Sequence, residues 1–130
     1  MSSPSNPRCG STCVGASARQ REGYAAEQRA LDYLTAHGLR PVARNFRVRV
    51  GELDLVLFHG RELVVVEVRH RASTAWGGAA ASVTARKQRR VRLAAQAFLA
   101  AHWAGRPWPP LRFDVVAIEG GDIHWIRAAF

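Results

Sequence analysis

A chain of 130 residues with 48% apolar side chains fits one domain with one core. Its formal charge of +9, from 19 basic against 10 acidic residues, favours a polyanionic partner, because neutralising phosphates releases condensed counterions. Two Cys make no disulfide framework, and no apolar run approaches the ~20 residues that cross a bilayer, so a secreted scaffold and a helical membrane protein are both disfavoured.

The first stretch, Met1 to Ser17, is rich in Ser, Pro, Gly and Asn, carries Cys9 and Cys13, and lacks the apolar segment of a signal peptide. Residues 1–18 are therefore expected to be a disordered tail with free thiols, ahead of a single domain over 19–130, with the cytoplasm as the default compartment. From Arg19 to His37 the spacing predicts a helix with Tyr24, Glu27, Leu31 and Leu34 on one face, Ala26, Ala30 and Tyr33 beside it, and Gly38 as the stop. Glu27 is the anomaly, a carboxylate sharing a stripe with leucines. Phe46, Val48 and Val50 then alternate with Arg47 and Arg49 as a half-exposed strand that Gly51 breaks. Leu53 to Phe58 and Leu63 to Val68 read as strands joined at His59-Gly60 in a hairpin.

A loop of small residues from Ala72 to Ala81 holds Trp76-Gly77-Gly78, and a long helix follows from an N-cap at Ser82 or Thr84 to about Trp103. Its predicted apolar face is Val83, Val91, Ala94, Ala95, Phe98 and His102, and Gly105 with the prolines at 107, 109 and 110 ends it. Leu111 to Ile118 and Ile123 to Ile126 are the last strands, turned at Gly120-Gly121. The order is helix, three strands, helix, two strands, an α/β domain without internal repeats.

The hairpin carries the chemistry. A two-residue turn at His59-Gly60 pairs Phe58 with Arg61, hence Asp54 with Val65 and Glu52 with Glu67, and period two places Glu52, Asp54, Glu67 and Arg69 on one face. A turn one residue longer breaks that parity. Carboxylates set opposite one another destabilise a sheet unless a cation compensates, which leaves two readings: a salt-bridge network around Arg69, or a bound Mg²⁺ that polarises a phosphodiester and activates water. In the second helix Arg86, Lys87, Arg89, Arg90 and Arg92 put five cations in seven residues. Cations near a helix N-terminus cost stability unless a polyanion is near, so the run points to phosphate contact, although a charge run is ordinarily a solvated face. Lys87 is the only Lys among the 19 basic residues. Asp114 is expected to pair with Arg112 or a neighbouring Arg, and His37, His102 and His124 read as structural. No Gly-rich phosphate loop and no G-x-S-x-G stretch is present, which argues against a nucleotide-driven motor and a serine hydrolase.

These pieces resemble a family. Gly23 with Glu27, Asn45, Gly51-Glu52-Leu53-Asp54-Leu55, Val66-Glu67-Val68-Arg69-His70-Arg71, Lys87-Gln88, Arg112-Phe113-Asp114-Val115-Val116 and the closing Ala129-Phe130 are similar to the YraN family, small bacterial proteins assigned to the restriction-endonuclease-like nuclease superfamily. The resemblance spans about residues 20–130 and implies a restriction-endonuclease-like mixed sheet flanked by helices, order α-β-β-β-α-β-β. It also implies a Mg²⁺- or Mn²⁺-dependent endonuclease acting on DNA, with Asp54 and Glu67 in the places of the superfamily's paired acids and Glu27 matching the helix-one Glu of archaeal Holliday-junction resolvases. On this reading Glu27, Glu52, Asp54 and Glu67 ligate metal, and Asp54, Glu67, Arg69, Lys87 and Gln88 form the catalytic group. Arg71, Arg86, Lys87, Arg89, Arg90 and Arg92 bind nucleic acid. Where the superfamily has Lys after the second acid, this chain has Arg69, a broad fork that does not deprotonate and so cannot be a base. Lys87 is the candidate replacement, weighed against chance survival of one Lys on a solvated helix. The alternative function is a non-catalytic nucleic-acid-binding module on the same fold. A homodimer stays open, with no segment marking a dimer face, and no small-molecule cofactor or membrane is expected.

Overall fold

The computed structural model of the protein describes residues 18–70 and 83–130. Residues 1–17, with Cys9 and Cys13, and residues 71–82, with Arg71, Trp76-Gly77-Gly78 and Ser82, lie outside the described residues. The first helix, α1 (Ala18–Ala36), stops at Gly38, whose φ of +93° is costly for a residue with a Cβ. There Gly38 N–H donates to Thr35 O and Leu39 N–H to Leu34 O, the two bonds of a Schellman cap, while Leu34 and Leu39 are both buried. The buried stripe of α1 is Ala26, Ala30 and Leu34 at four-residue spacing. Tyr24, expected in that stripe, is instead 55% exposed, with Arg44 over its ring. Small alanines let the helix approach the sheet closely.

Five strands follow: β1 (Arg40–Val48), β2 (Gly51–His59), β3 (Glu62–His70), β4 (Leu111–Glu119) and β5 (Asp122–Ile126), hydrogen-bonded in sequence order into one sheet. Only β3 and β4 run parallel; the other neighbours are antiparallel. The second helix, α2 (Ala85–His102), makes that parallel crossover. One layer packs α1 against Leu55, Leu57, Val64, Val66, Val116 and Ile118. The opposite face packs Val91, Ala94, Ala95, Phe98 and Leu99 of α2 against Leu53, Val56, Leu63 and Val65. The molecule is thus the expected mixed sheet between helices, in the order α-β-β-β-α-β-β. Leu99 takes the core place assigned from the sequence to His102, which is exposed with its ring against Phe98. Among the described residues no helix is long and apolar enough to cross a membrane.

Two strand expectations are corrected. β1 starts at Arg40, six residues before the alternating run that was visible in sequence. Alternation is lost because Asn45 sits at φ +55°, a left-handed conformation that Asn tolerates better than most residues. The side chains change faces there: Ala43 and Phe46, three apart, reach the same core layer, as do Leu53 and Val56 on the paired strand. The hairpin turn is Gly60-Arg61 rather than His59-Gly60, since His59 pairs with Glu62 and Phe58 with Leu63. Gly60, at φ +63°, occupies the first central position of the turn, the place where a type II′ hairpin needs glycine.

Asp114, on the parallel strand, is fully buried and fully bonded. It accepts from the Arg112 guanidinium at 2.9 and 2.8 Å, from Trp125 Nε1 at 2.9 Å and from Ala128 N–H at 3.0 Å. Arg112 also donates to Glu62 at 2.8 Å. This network ties β3, β4 and β5 together, and it confirms the expected Asp114–Arg112 pair as structural.

Gly51 decides how α2 sits on the sheet. A Cβ there would lie 2.5 Å from the carbonyl oxygen of Arg90, and Arg90 Nε donates to Val50 O at 3.3 Å. Gly51→Ala is expected to lower unfolding stability by about 1–3 kcal/mol, the scale of a forced backbone shift, as read from urea denaturation. The same substitution at Gly121, where a Cβ meets nothing within 4 Å, is expected to cost less.

Candidate functional site

The corrected register moves the acids closer than the sequence reading had them. Leu55 pairs with Val66, so one step further along both strands brings Asp54 beside Glu67, where Val65 had been expected. Both strands shift by one residue, so the parity that grouped the two acids survives. Asp54 Oδ2 accepts from Val68 N–H at 3.0 Å, which turns its carboxylate into the space between β2 and β3.

Glu67 is the focus. It is 1% exposed, on the sheet face covered by α2, and among the described residues its Oε2 accepts no hydrogen bond. Lys87 Nζ, reaching down from the first turn of α2, lies 3.7 Å from Oε1. Burial pushes the Glu67 carboxyl up to about 7, Asp54 adds repulsion, and Lys87 and Arg69 pull the other way. Asp54 is also raised by burial, against the Val68 N–H and the charge of Lys87. Lys87 owes its position to the helix start: Thr84 caps α2, its Oγ1 accepting from Lys87 N–H at 3.2 Å.

The remaining acids flank this pair. Glu27 projects from α1, its pKa raised by burial and by Asp54, and Arg44 Nε is 3.6 Å away. Arg44 is anchored on α1 by bonds to Gln28 Oε1 at 2.7 Å and Tyr24 O at 3.1 Å. The Asn45 side chain and the Arg44 charge partly offset the rise at Glu27. Glu52 is half-exposed and pairs with Arg47 at 3.2 Å. Its charge nevertheless raises both Asp54 and Glu67. The oddity of a carboxylate on the apolar stripe of α1 is thereby explained, since Glu27 looks toward Asp54.

Not every expected residue joins the group. Arg69 has a buried Nε without a hydrogen-bond partner and, among the described residues, no carboxylate within ion-pair distance. Gln88 spends its side-chain amide on the Val83 carbonyl at 3.0 Å. Arg92 covers the rings of Phe113 and Phe130, while Arg86 and Arg89 are exposed. Lys87 and Arg90, three apart on the helix, share the side facing the β1–β2 turn. Arg47 and Asn45 are the residues that sequence reasoning passed over in assigning roles. The signal was the β1–β2 register, in which Arg47 pairs with Glu52.

A hard divalent cation fits part of this donor set. Two adjacent carboxylates are a number Mg²⁺ commonly takes, and the orphaned Oε2 of Glu67 is an oxygen in need of a positive partner. Among the described residues, however, no three His, Cys, Asp or Glu side chains gather as a metal-holding group. Asp54 and Glu67 are therefore the two carboxylates that could hold an ion, with Glu27 and Glu52 on either side, each engaged by its own arginine.

A family model described as uncharacterised protein family UPF0102 matches residues 26–118. A UPF0102 protein of Bordetella parapertussis is 51% identical over 132 residues, covering 98% of this chain and 74% of its own length. UPF0102 proteins of Halorhodospira halophila and Stutzerimonas stutzeri are each 51% identical, over 86% and 85% of this chain and 88% and 95% of their own lengths.

The raised carboxyls set the pH response. Glu67 binds its proton more tightly folded, at about 7, than at the ordinary 4.5, so between those values the native state holds more protons and stability falls as pH rises. Urea unfolding at pH 5 and pH 8, in EDTA, is expected to show this decline in the wild type and a flatter profile in Glu67→Gln, with the variant the more stable at pH 8. Equal declines in both would place the titration elsewhere.

Proposed function

This chain belongs to uncharacterised protein family UPF0102, the YraN family, and from that premise we propose that it is a nucleic-acid-binding, nuclease-like protein. In its sharper form the proposal is an endonuclease that hydrolyses phosphodiesters of branched or single-stranded DNA with Mg²⁺ or Mn²⁺. The observation that carries it is the buried Glu67 carboxylate, with one oxygen unpartnered among the described residues, Asp54 beside it and Lys87 within 4 Å. A fold that only needed structure would bond such an acid fully, as it does Asp114.

Asp54 and Glu67 would hold the ion. Such an ion, when bound, polarises a phosphoryl oxygen and lowers the pKa of a water molecule. The chain's own residues supply the rest. Lys87 stands where a positive charge is needed beside the second acid, so the Lys-to-Arg change at Arg69 does not leave that acid without an amine. Arg69 keeps a guanidinium near the acids for phosphate. Arg86, Arg89 and Arg90 extend the positive surface along α2, and Glu27 and Glu52 add negative charge that would favour a cation at the acid pair.

The second reading is a non-catalytic nucleic-acid-binding module. It is favoured by Arg69 in the usual Lys place and by the absence, among the described residues, of a third ligand beside the acid pair.

Cleavage of labelled single-stranded, duplex, flap and four-way-junction DNA, with Mg²⁺, Mn²⁺ or EDTA, separates the two. The expected result is metal-dependent cutting that is lost in Glu67→Gln and falls about a hundredfold in Lys87→Ala, the scale on which one preorganised charge acts. Cutting that persists in Glu67→Gln would refute the site. Binding without any cutting, undiminished in Asp54→Asn, would establish the module instead. Independently of activity, Mg²⁺ is expected to raise the melting temperature of the wild type and not that of Asp54→Asn.

A further inference from the structure

Beside the acid pair lies a second feature, an open cavity of about 330 Å³ between the β1–β2 turn and the start of α2. It is lined by Arg47, Val48, Gly51, Glu52, Lys87 and Arg90. We propose that this cavity is a phosphate subsite, separate from the acid pair, which takes one non-scissile phosphoryl group of a nucleic-acid strand. The proposal rests on the nucleic-acid reading above but not on cleavage.

Three cations face one carboxylate here, and each is held by its own contact. Arg47 Nε is fixed by Glu52 at 3.2 Å, Arg90 Nε by the Val50 carbonyl at 3.3 Å, and Lys87 by Glu67 at 3.7 Å. Using Nε as the anchor leaves the terminal nitrogens of both guanidinium groups to donate. Two guanidinium forks suit the planar, bidentate recognition of phosphate. Glu52 is the built-in competitor: it balances Arg47 when no phosphate is present and is exposed enough to swing away.

The size of the cavity narrows the ligand. At the lower end of ligand-pocket volumes it accepts a phosphoryl group with its sugar, not a base pair, and its lining offers an apolar ligand only Val48 and the backbone of Gly51. Lys87 lines the cavity and also contacts Glu67. A strand anchored here would therefore present its neighbouring phosphate to the acid pair, with Lys87 between the two. Gly51 keeps the cavity narrow, because a Cβ at that place would push the Arg90 backbone away.

The test uses the full chain in EDTA, so that no cutting interferes. Anisotropy of a short labelled single-stranded DNA is measured across a KCl series for the wild type, Arg47→Ala, Arg90→Ala and, as a control, Arg40→Ala, whose guanidinium lies over Phe58 outside the cavity lining. Each cavity variant is expected to bind about five- to tenfold more weakly and to lose about 0.7 from the log–log salt slope, one single-strand phosphate contact. Arg40→Ala is expected to keep both values. Inorganic phosphate is expected to shift the amide resonances of Gly51 and Arg90 in the wild type and not in Arg47→Ala.

Unchanged slopes in both cavity variants, with melting temperatures at the wild-type value, would overturn the subsite. So would an equal loss in Arg40→Ala, which would reduce the effect to a diffuse positive field. Phosphate shifts that persist in a protein that cuts nothing would support the subsite while the nuclease reading fails. Metal-dependent cutting that is indifferent to Arg47 and Arg90 would leave the nuclease standing and remove the subsite.

Discussion

A buried carboxylate with one oxygen unbonded among the described residues is the constraint that organises this molecule. Burying Glu67 is costly in proportion to its charge, and the protein answers with a high pKa and a single amine at 3.7 Å rather than with a full set of donors. Asp114 shows what the same fold does when an acid has only a structural task. It is as deeply buried, yet both oxygens accept hydrogen bonds from a guanidinium, an indole and a backbone amide. One buried acid is satisfied and the other is left wanting a positive partner, and that contrast separates scaffold from site.

The amine depends on a chain of backbone details. Lys87 can reach Glu67 because Thr84 caps α2 at the right residue and because Gly51 lets the helix backbone come down onto the start of β2. The approach that positions Lys87 also brings Arg90 over the β1–β2 turn, so the cation-lined cavity and the acid pair have one structural cause. The five cations of the basic run consequently divide. Lys87 and Arg90 serve the cavity, Arg92 covers Phe113 and Phe130, and Arg86 and Arg89 face solvent.

A second irregularity places the acids between the layers. Asn45 in the left-handed region reverses the facing of β1, and β2 follows it between Leu53 and Val56. Regular strands would send Asp54 squarely to one face. Instead its carboxylate turns between the strands to the Val68 amide, within electrostatic reach of Glu27 from one helix layer and Glu67 and Lys87 from the other. A local strain of this kind persists because the layers on both sides fix the strands around it.

The amino-acid sequence by itself determined the element order, the two helices with their stops, the apolar strands and the conjunction of acids with a basic helix. These are local properties, written in side-chain periodicity, glycine placement and charge. It also marked Glu27 as anomalous and Lys87 as singular. Only the tertiary structure decided that the hairpin turns at Gly60-Arg61 and that β1 extends back to Arg40. It alone decided that Lys87 rather than Arg69 meets Glu67, and that Arg47 joins Arg90 across a cavity. Turn position, strand register and helix approach are set by competition among packings that differ by one residue or one Cβ, and that competition is settled across the sheet, where no local pattern can record it.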